Sequence, residues 1–145
     1  MEYYIYTDGA ASSERNVIGC AYFIMTSETF IHTNTVRVEN CNNPTQAETI
    51  AIGVATMYML KNVEFKDGDT VGFYSDCLST IEFCKKYIDN DLEVWTKNTL
   101  VSSSIQQLRD LRNIVPVSFI KVKGHKGKLT PNTYVDRLAT FALYR

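Results

Sequence analysis

Residues 1–11 read MEYYIYTDGAA and residues 70–76 read TVGFYSD. Each is a run of β-branched and aromatic residues, the composition of a strand, that gives way to an acid: Asp8 after Thr7, Asp76 after Ser75. Asp is depleted in strands and seldom buried without a partner, so both positions need a reason. Taken alone, Asp8 before Gly9 reads as a turn.

Periodicity supplies the frame. Residues 3–7 (YYIYT), 17–25 (VIGCAYFIM) and 29–38 (TFIHTNTVRV) read as three strands of an antiparallel meander, separated by short polar stretches. Residues 44–62 (PTQAETIAIGVATMYMLKN) place Ala47, Ile50, Ala51, Val54, Met57 and Tyr58 at helical spacing, with Thr45 and Glu48 set three apart as in a capping box. KDGD at 66–69 is a turn, and TVGFYS at 70–75 a fourth strand. Ser79 and Glu82 repeat the capping-box spacing and open a helix to about Ile88. A further helix is expected from about Leu100 to Leu111, and a strand in VPVSFIKV at 115–122. Thr130 followed by Pro131 starts a last helix whose apolar stripe runs through Val135, Leu138, Ala139 and Ala142. The order βββαβααβα predicts an α/β (α+β mixed) chain, a mixed sheet covered by helices, as a single domain over residues 1–145.

Bulk properties fit that expectation. With 145 residues, 45% of them hydrophobic, the chain is long enough for one sizeable core. Its 21% charged content and ten Pro plus Gly exclude a disordered or fibrous chain. No apolar run is long enough to span a membrane and no targeting segment is evident, so a cytoplasmic protein with no membrane partner is expected. Cys20, Cys41, Cys77 and Cys84 form no CxxC pair and read as reduced thiols. The net charge of −1 is unevenly spread: residues 109–128 hold six Lys/Arg against one Asp, a local +5 that leaves −6 elsewhere. Cations gather at Lys121, Lys123, Lys126 and Lys128, as they would beside a polyanion.

Four carboxylates fall at expected element ends: Asp8, Glu48, Asp76 and Asp136. If the first and fourth strands are neighbours, Asp8 and Asp76 stand side by side and repel unless a cation intervenes. Oxygen ligands suit Mg²⁺ or Mn²⁺, and a pair of such ions suits in-line phosphoryl displacement.

Together YTDGA, QAE, YSD and VKGHKGKLTPNTYVD resemble the ribonuclease H family, type 1, which includes the ribonuclease H domains of reverse transcriptases. The likeness runs nearly end to end. It implies a five-stranded mixed sheet with helices on both faces. It also implies a metal-dependent endonuclease that hydrolyses the RNA strand of RNA–DNA hybrids and leaves 5′-phosphate and 3′-hydroxyl ends. By the same resemblance Asp8, Glu48, Asp76 and Asp136 are metal ligands for two Mg²⁺, with Mn²⁺ as a substitute, and His125 moves a proton or eases product release. Gly9, Ala10, Thr45, Trp95, Lys123, Lys126 and Asn132 are the implied substrate contacts, the partner is the hybrid, and the chain is expected to act as a monomer.

Several positions depart from the family pattern. Pro44 and Thr45 stand where many members have two asparagines, and Leu78 where several bacterial members have Gln. The handle that some members use to grip DNA is here KKYIDNDLEVWTKN, residues 85–98, short and nearly neutral. Fewer phosphate contacts predict modest affinity and a shallow salt dependence. The competing readings are a weakly active or inactive ribonuclease H-like binding or scaffold module, and another nuclease of the same superfold such as a junction resolvase or exonuclease. The intact carboxylates weigh against the first, and KGH with the helical Glu48 spacing against the second.

Overall fold

The computed structural model describes residues 1–90, 92–94, 96–123 and 130–144. Its elements follow the expected order: β1 (Glu2–Ser12), β2 (Val17–Met25), β3 (Phe30–Glu39), α1 (Pro44–Asn62), β4 (Thr70–Ser75), α2 (Leu78–Asp89), α3 (Thr99–Arg112), β5 (Val117–Lys121) and α4 (Pro131–Ala142). The five strands form one mixed sheet in the order β3-β2-β1-β4-β5, with β1–β2 and β2–β3 antiparallel and β1–β4 and β4–β5 parallel.

Strand alternation divides the sheet between two helical layers. Tyr3 and Ile5 of β1 and Tyr22 and Ile24 of β2 join Ile52, Met59, Phe73, Ile105, Leu108 and Leu111 in the main core, under α1 and α3. Residues one step out of phase, Tyr6, Ala10, Ala21 and Phe23, pack on Val135 and Ala139 of α4. A period of two therefore sends β1 and β2 into both layers. The helices sit close because small residues line the crossings. A Cβ on Gly53 of α1 would lie 2.0 Å from the Ser104 hydroxyl of α3, and one on Gly19 of β2 would lie 2.2 Å from the Ala139 carbonyl of α4.

Three local expectations are corrected. β1 does not stop at Thr7: it stays paired with β2 as far as Ser12↔Val17, although its pairing with β4 ends at Tyr6↔Tyr74. Asp8 is thus inside a strand on the β2 side and beyond the end of pairing on the β4 side. The cap of α1 is Asn43, whose side chain accepts from the Gln46 N–H at 3.0 Å, and not Thr45. With Pro44 at the first helical position, the helix begins two residues too early for a Thr45–Glu48 box, which leaves the Glu48 carboxylate free for another use. For α2 the cap position is Cys77 rather than Ser79, and no side chain closes it. The Thr130 cap of α4 is found as expected, reciprocated by Thr133. All four cysteines are free thiols. Among the described residues no helix is long and apolar enough to cross a membrane.

Candidate metal centre

Between β1 and β4 the strand order reverses direction, and in open sheets the crevice beyond the carboxyl ends at such a point is where ligands bind. β4 ends at Ser75 and the chain turns away into α2, while β1 runs on beside β2. The resulting notch receives Asp8 from β1, Asp76 from the residue after β4 and Glu48 from the second turn of α1. Ligand oxygens of these three carboxylates all lie within 4.8 Å of one another. Asp8 and Glu48 are buried and Asp76 is half-buried. The Glu48 Oε2 atom is buried and has no hydrogen-bond partner. Asp136, exposed on α4, stands outside this 4.8 Å set but within side-chain hydrogen-bonding reach of Asp8 and charge range of Asp76.

The electrostatics follow from that crowding. Burial pushes the Asp8 carboxyl well above the ordinary carboxylate range, and the hydrogen bond and charge of Glu48, the side chain of Asp136 and the charge of Asp76 push it further. Burial also raises Glu48; its hydrogen bond to Asp8 pulls the other way, more strongly than the charge of Asp76 raises it, but burial prevails. Asp76 is raised by burial and by Asp136, with Lys121 opposing. Such a cluster is poorly stable as anions in the metal-free protein. An all-oxygen donor set with one buried, unpartnered oxygen has the chemistry of a site for a hard divalent cation.

The RNase H family profile matches residues 1–144 of the chain. This chain belongs to the ribonuclease H family. Two solved structures have the same fold. RNase H1 from the halophilic archaeon Halobacterium salinarum NRC-1 superposes with a TM-score of 0.68 at 16% identity, over 99% of this chain and 98% of that one. LC11-RNase H1, isolated from compost by a metagenomic approach, gives a TM-score of 0.71 at 16% identity, over 98% and 95% of the respective chains. No curated protein matches the chain in sequence.

Within this ribonuclease H the other anticipated residues are placed as follows. Gly9 lies against α1, its backbone N–H donating to Asp8 Oδ1 at 2.9 Å, and Ala10 packs partly toward α4. Thr45 is exposed in the first turn of α1. Asn132 is buried one turn before Asp136, with its side-chain oxygen unpartnered. Lys123 and Asn132 line a cavity of about 390 Å³ with Tyr6 and Pro131. Trp95, His125 and Lys126 lie outside the described residues.

A further feature of this ribonuclease H escaped sequence reasoning. A groove of about 560 Å³ is lined by Asn16, Asn42, Asn43, Gln46, Asn98 and Lys97, among others. Asn42 Nδ2 donates to Asn16 Oδ1 at 3.0 Å and Asn98 Nδ2 to Gln46 Oε1 at 2.9 Å, so the amides are held in fixed orientations. Asn16 and Asn40 turn the chain with φ of 53° and 61°, a left-handed conformation that Asn tolerates. The only signal was the density of Asn at 40–43, and its partners come from distant segments.

The raised carboxyls fix the pH dependence of the metal-free ribonuclease H. A carboxyl whose folded-state value exceeds its unfolded value of about 4 adds stability below that value and withdraws it as pH rises through the folded value. In EDTA the melting temperature should therefore fall between pH 5 and pH 8, by roughly 5 °C for a chain of this size. Millimolar Mg²⁺ or Mn²⁺ should restore more at pH 8 than at pH 5, because the ions bind the ionised form. Scanning calorimetry at both pH values, with and without metal, checks this; a melting temperature that rises over that interval in EDTA contradicts it.

Proposed function

We propose that Asp8, Glu48, Asp76 and Asp136 hold two divalent ions, Mg²⁺ with Mn²⁺ as a substitute, and that the chain hydrolyses the RNA strand of RNA–DNA hybrids to 5′-phosphate and 3′-hydroxyl ends. The observation that carries the reading is the set of three carboxylates within 4.8 Å at the mouth of the sheet, one of whose oxygens is buried and unpartnered. Bound there, the ions supply Lewis acidity to the attacking water and the departing 3′ oxygen. The chain's own part is positioning. β1 fixes Asp8 within an interior strand, the end of interior strand β4 sets Asp76 one residue beyond it, and α1 fixes the third near its amino end, as a precise site requires.

The residues around the centre suit a polyanionic duplex. The Gly9–Ala10 backbone lies next to Asp8 and presents main-chain groups to an RNA sugar and its 2′-hydroxyl, while the missing Gly9 side chain serves the close contact with α1. The amide-lined groove begins at the Asn43 cap, five residues before Glu48 or about 7 Å along the helix, and offers neutral donors to a sugar–phosphate backbone. Lys123 supplies a cation on the α4 side, Lys126 serves as a further phosphate contact, Thr45 and Asn132 give polar contacts, and Trp95 a face for a sugar. His125 accepts or returns a proton near neutral pH. The chain works as a monomer in this reading, in the cytoplasm.

Cleavage of end-labelled RNA–DNA hybrid, duplex DNA and duplex RNA with Mg²⁺, Mn²⁺ or EDTA tests the proposal. Metal-dependent cutting of RNA in the hybrid alone is the expected result. Binding of the hybrid without any cutting, at low salt and with either ion, would instead favour the scaffold module.

A further inference from the structure

Glu48 owes its place to more than its own helix. The peptide group joining Ala47 to Glu48 is gripped from the sheet side by two residues that face each other across β1 and β2. Gly9 and Cys20 are direct partners in that antiparallel pair, so both point to the same face, toward α1. A Cβ on Gly9 would sit 2.4 Å from the Ala47 carbonyl carbon and 2.5 Å from the Glu48 nitrogen, so the Gly9 backbone lies directly against this peptide. Cys20, only 1% exposed, directs Sγ to the oxygen of the same peptide, Ala47 O, at 3.4 Å. Burial pushes the Cys20 thiol well above its ordinary range, so it keeps its proton at neutral pH; the sulfur is a weak donor and the carbonyl accepts.

We propose that Cys20 is a positioning residue for Glu48: its thiol fixes the rotation of the Ala47–Glu48 peptide and thereby aims the Glu48 carboxylate at Asp8 and Asp76. The alternative is that Cys20 only fills volume, as Ala47, Ile50 and Ala51 do around it. Geometry separates the two roles. A space-filling residue needs no donor, whereas this one places its donor on the carbonyl adjoining the ligand. Groups that orient metal ligands typically change metal affinity by about 10–100-fold when removed, and a weak donor acting through the backbone belongs at the lower end. The inference rests on Glu48 being a metal ligand, as proposed above.

Titration of Mn²⁺ into the full chain by calorimetry tests it with three variants. Cys20→Ala should weaken Mn²⁺ binding by about tenfold, and Cys20→Ser, which keeps a donor, should bind within about threefold of the unaltered chain. Cys84→Ala removes the same atoms from a site that is 0% exposed in the main core, and should lower the melting temperature but leave Mn²⁺ affinity unchanged. Should Cys20→Ala fail to fold, Cys20→Val leaves no cavity, being larger than Cys by about a methyl group, and lacks the donor. An alanine or valine variant within twofold of the unaltered chain, a serine variant as weak as alanine, or an equal loss in Cys84→Ala overturns the positioning role. An unaltered chain that binds no Mn²⁺ overturns the metal reading itself, so the two failures are told apart.

Discussion

Asp8→Asn is expected to reduce hybrid cleavage by at least roughly 10²–10³-fold, the scale of losing one preorganised electrostatic element, while raising the melting temperature of the metal-free protein. Both effects come from the same charge. Asp8 is buried among Glu48, Asp76 and Asp136, and the raised carboxyl shows that its anion is disfavoured there. Asn has the same shape and can still accept from the Gly9 N–H, which now bonds to Asp8 Oδ1 at 2.9 Å. The substitution therefore removes repulsion without leaving a hole. It also removes a ligand, so the gain of about 5 °C near pH 8 in EDTA should disappear when saturating Mg²⁺ is supplied to both proteins. Stability and function then move in opposite directions, as expected of a site whose stored repulsion is relieved by its cation. Melting curves with and without metal, beside single-turnover cleavage, measure both halves; a variant that is less stable than the unaltered chain in EDTA contradicts the argument.

Gly9→Ala is the second large effect, and it arises from backbone contact rather than charge. The added Cβ would lie 2.4 Å from Ala47 C and 2.7 Å from Ala47 O, both main-chain atoms of α1. No rotamer change relieves that, so the start of α1 must move away from β1 and carry Glu48 with it. Overpacking of this kind destabilises by about 1–3 kcal/mol, and an ångström of misplacement at a reacting centre costs about 10²-fold in rate. Cleavage should fall by about that factor, with a melting temperature roughly 5 °C lower. Gly72→Ala on β4 is the comparison: its Cβ would meet side-chain atoms alone, the outer atoms of Ile120 and Tyr74 at 3.2 Å and the Ser118 hydroxyl at 3.6 Å, and small shifts of the first two side chains accommodate it. Equal losses from the two substitutions would show that the contact between Gly9 and α1 has no special part.

The sequence carried the site's chemistry better than its surroundings. The parallel pairing of β1 with β4, on which the side-by-side placement of Asp8 and Asp76 depends, is present, and Glu48 reaches the same notch from α1. These residues were legible because each follows or opens a strongly patterned element. Asp8 was misplaced at a strand end because Thr-Asp-Gly has the local chemistry of a turn; the long ladder from Asp8↔Ala21 to Ser12↔Val17 overrides it. Thr45 and Glu48 matched a capping box that Asn43 pre-empts by starting the helix earlier. The amide groove was not legible, since Asn16, Asn42 and Asn98 meet only after the β1–β2 turn, the approach to α1 and the start of α3 have converged. Nor could spacing reveal the Gly9–Cys20 grip on Ala47, which exists only in the antiparallel register.

A crystal of the protein soaked in Mn²⁺ and measured at a wavelength where manganese scatters anomalously bears most directly on the central claim. The account predicts an anomalous peak bounded by Asp8, Glu48 and Asp76, about 2.0–2.3 Å from their carboxylate oxygens, with a second ion nearby on the Asp136 side. Manganese bound elsewhere while these carboxylates stay protonated and hydrogen-bonded to one another would contradict it.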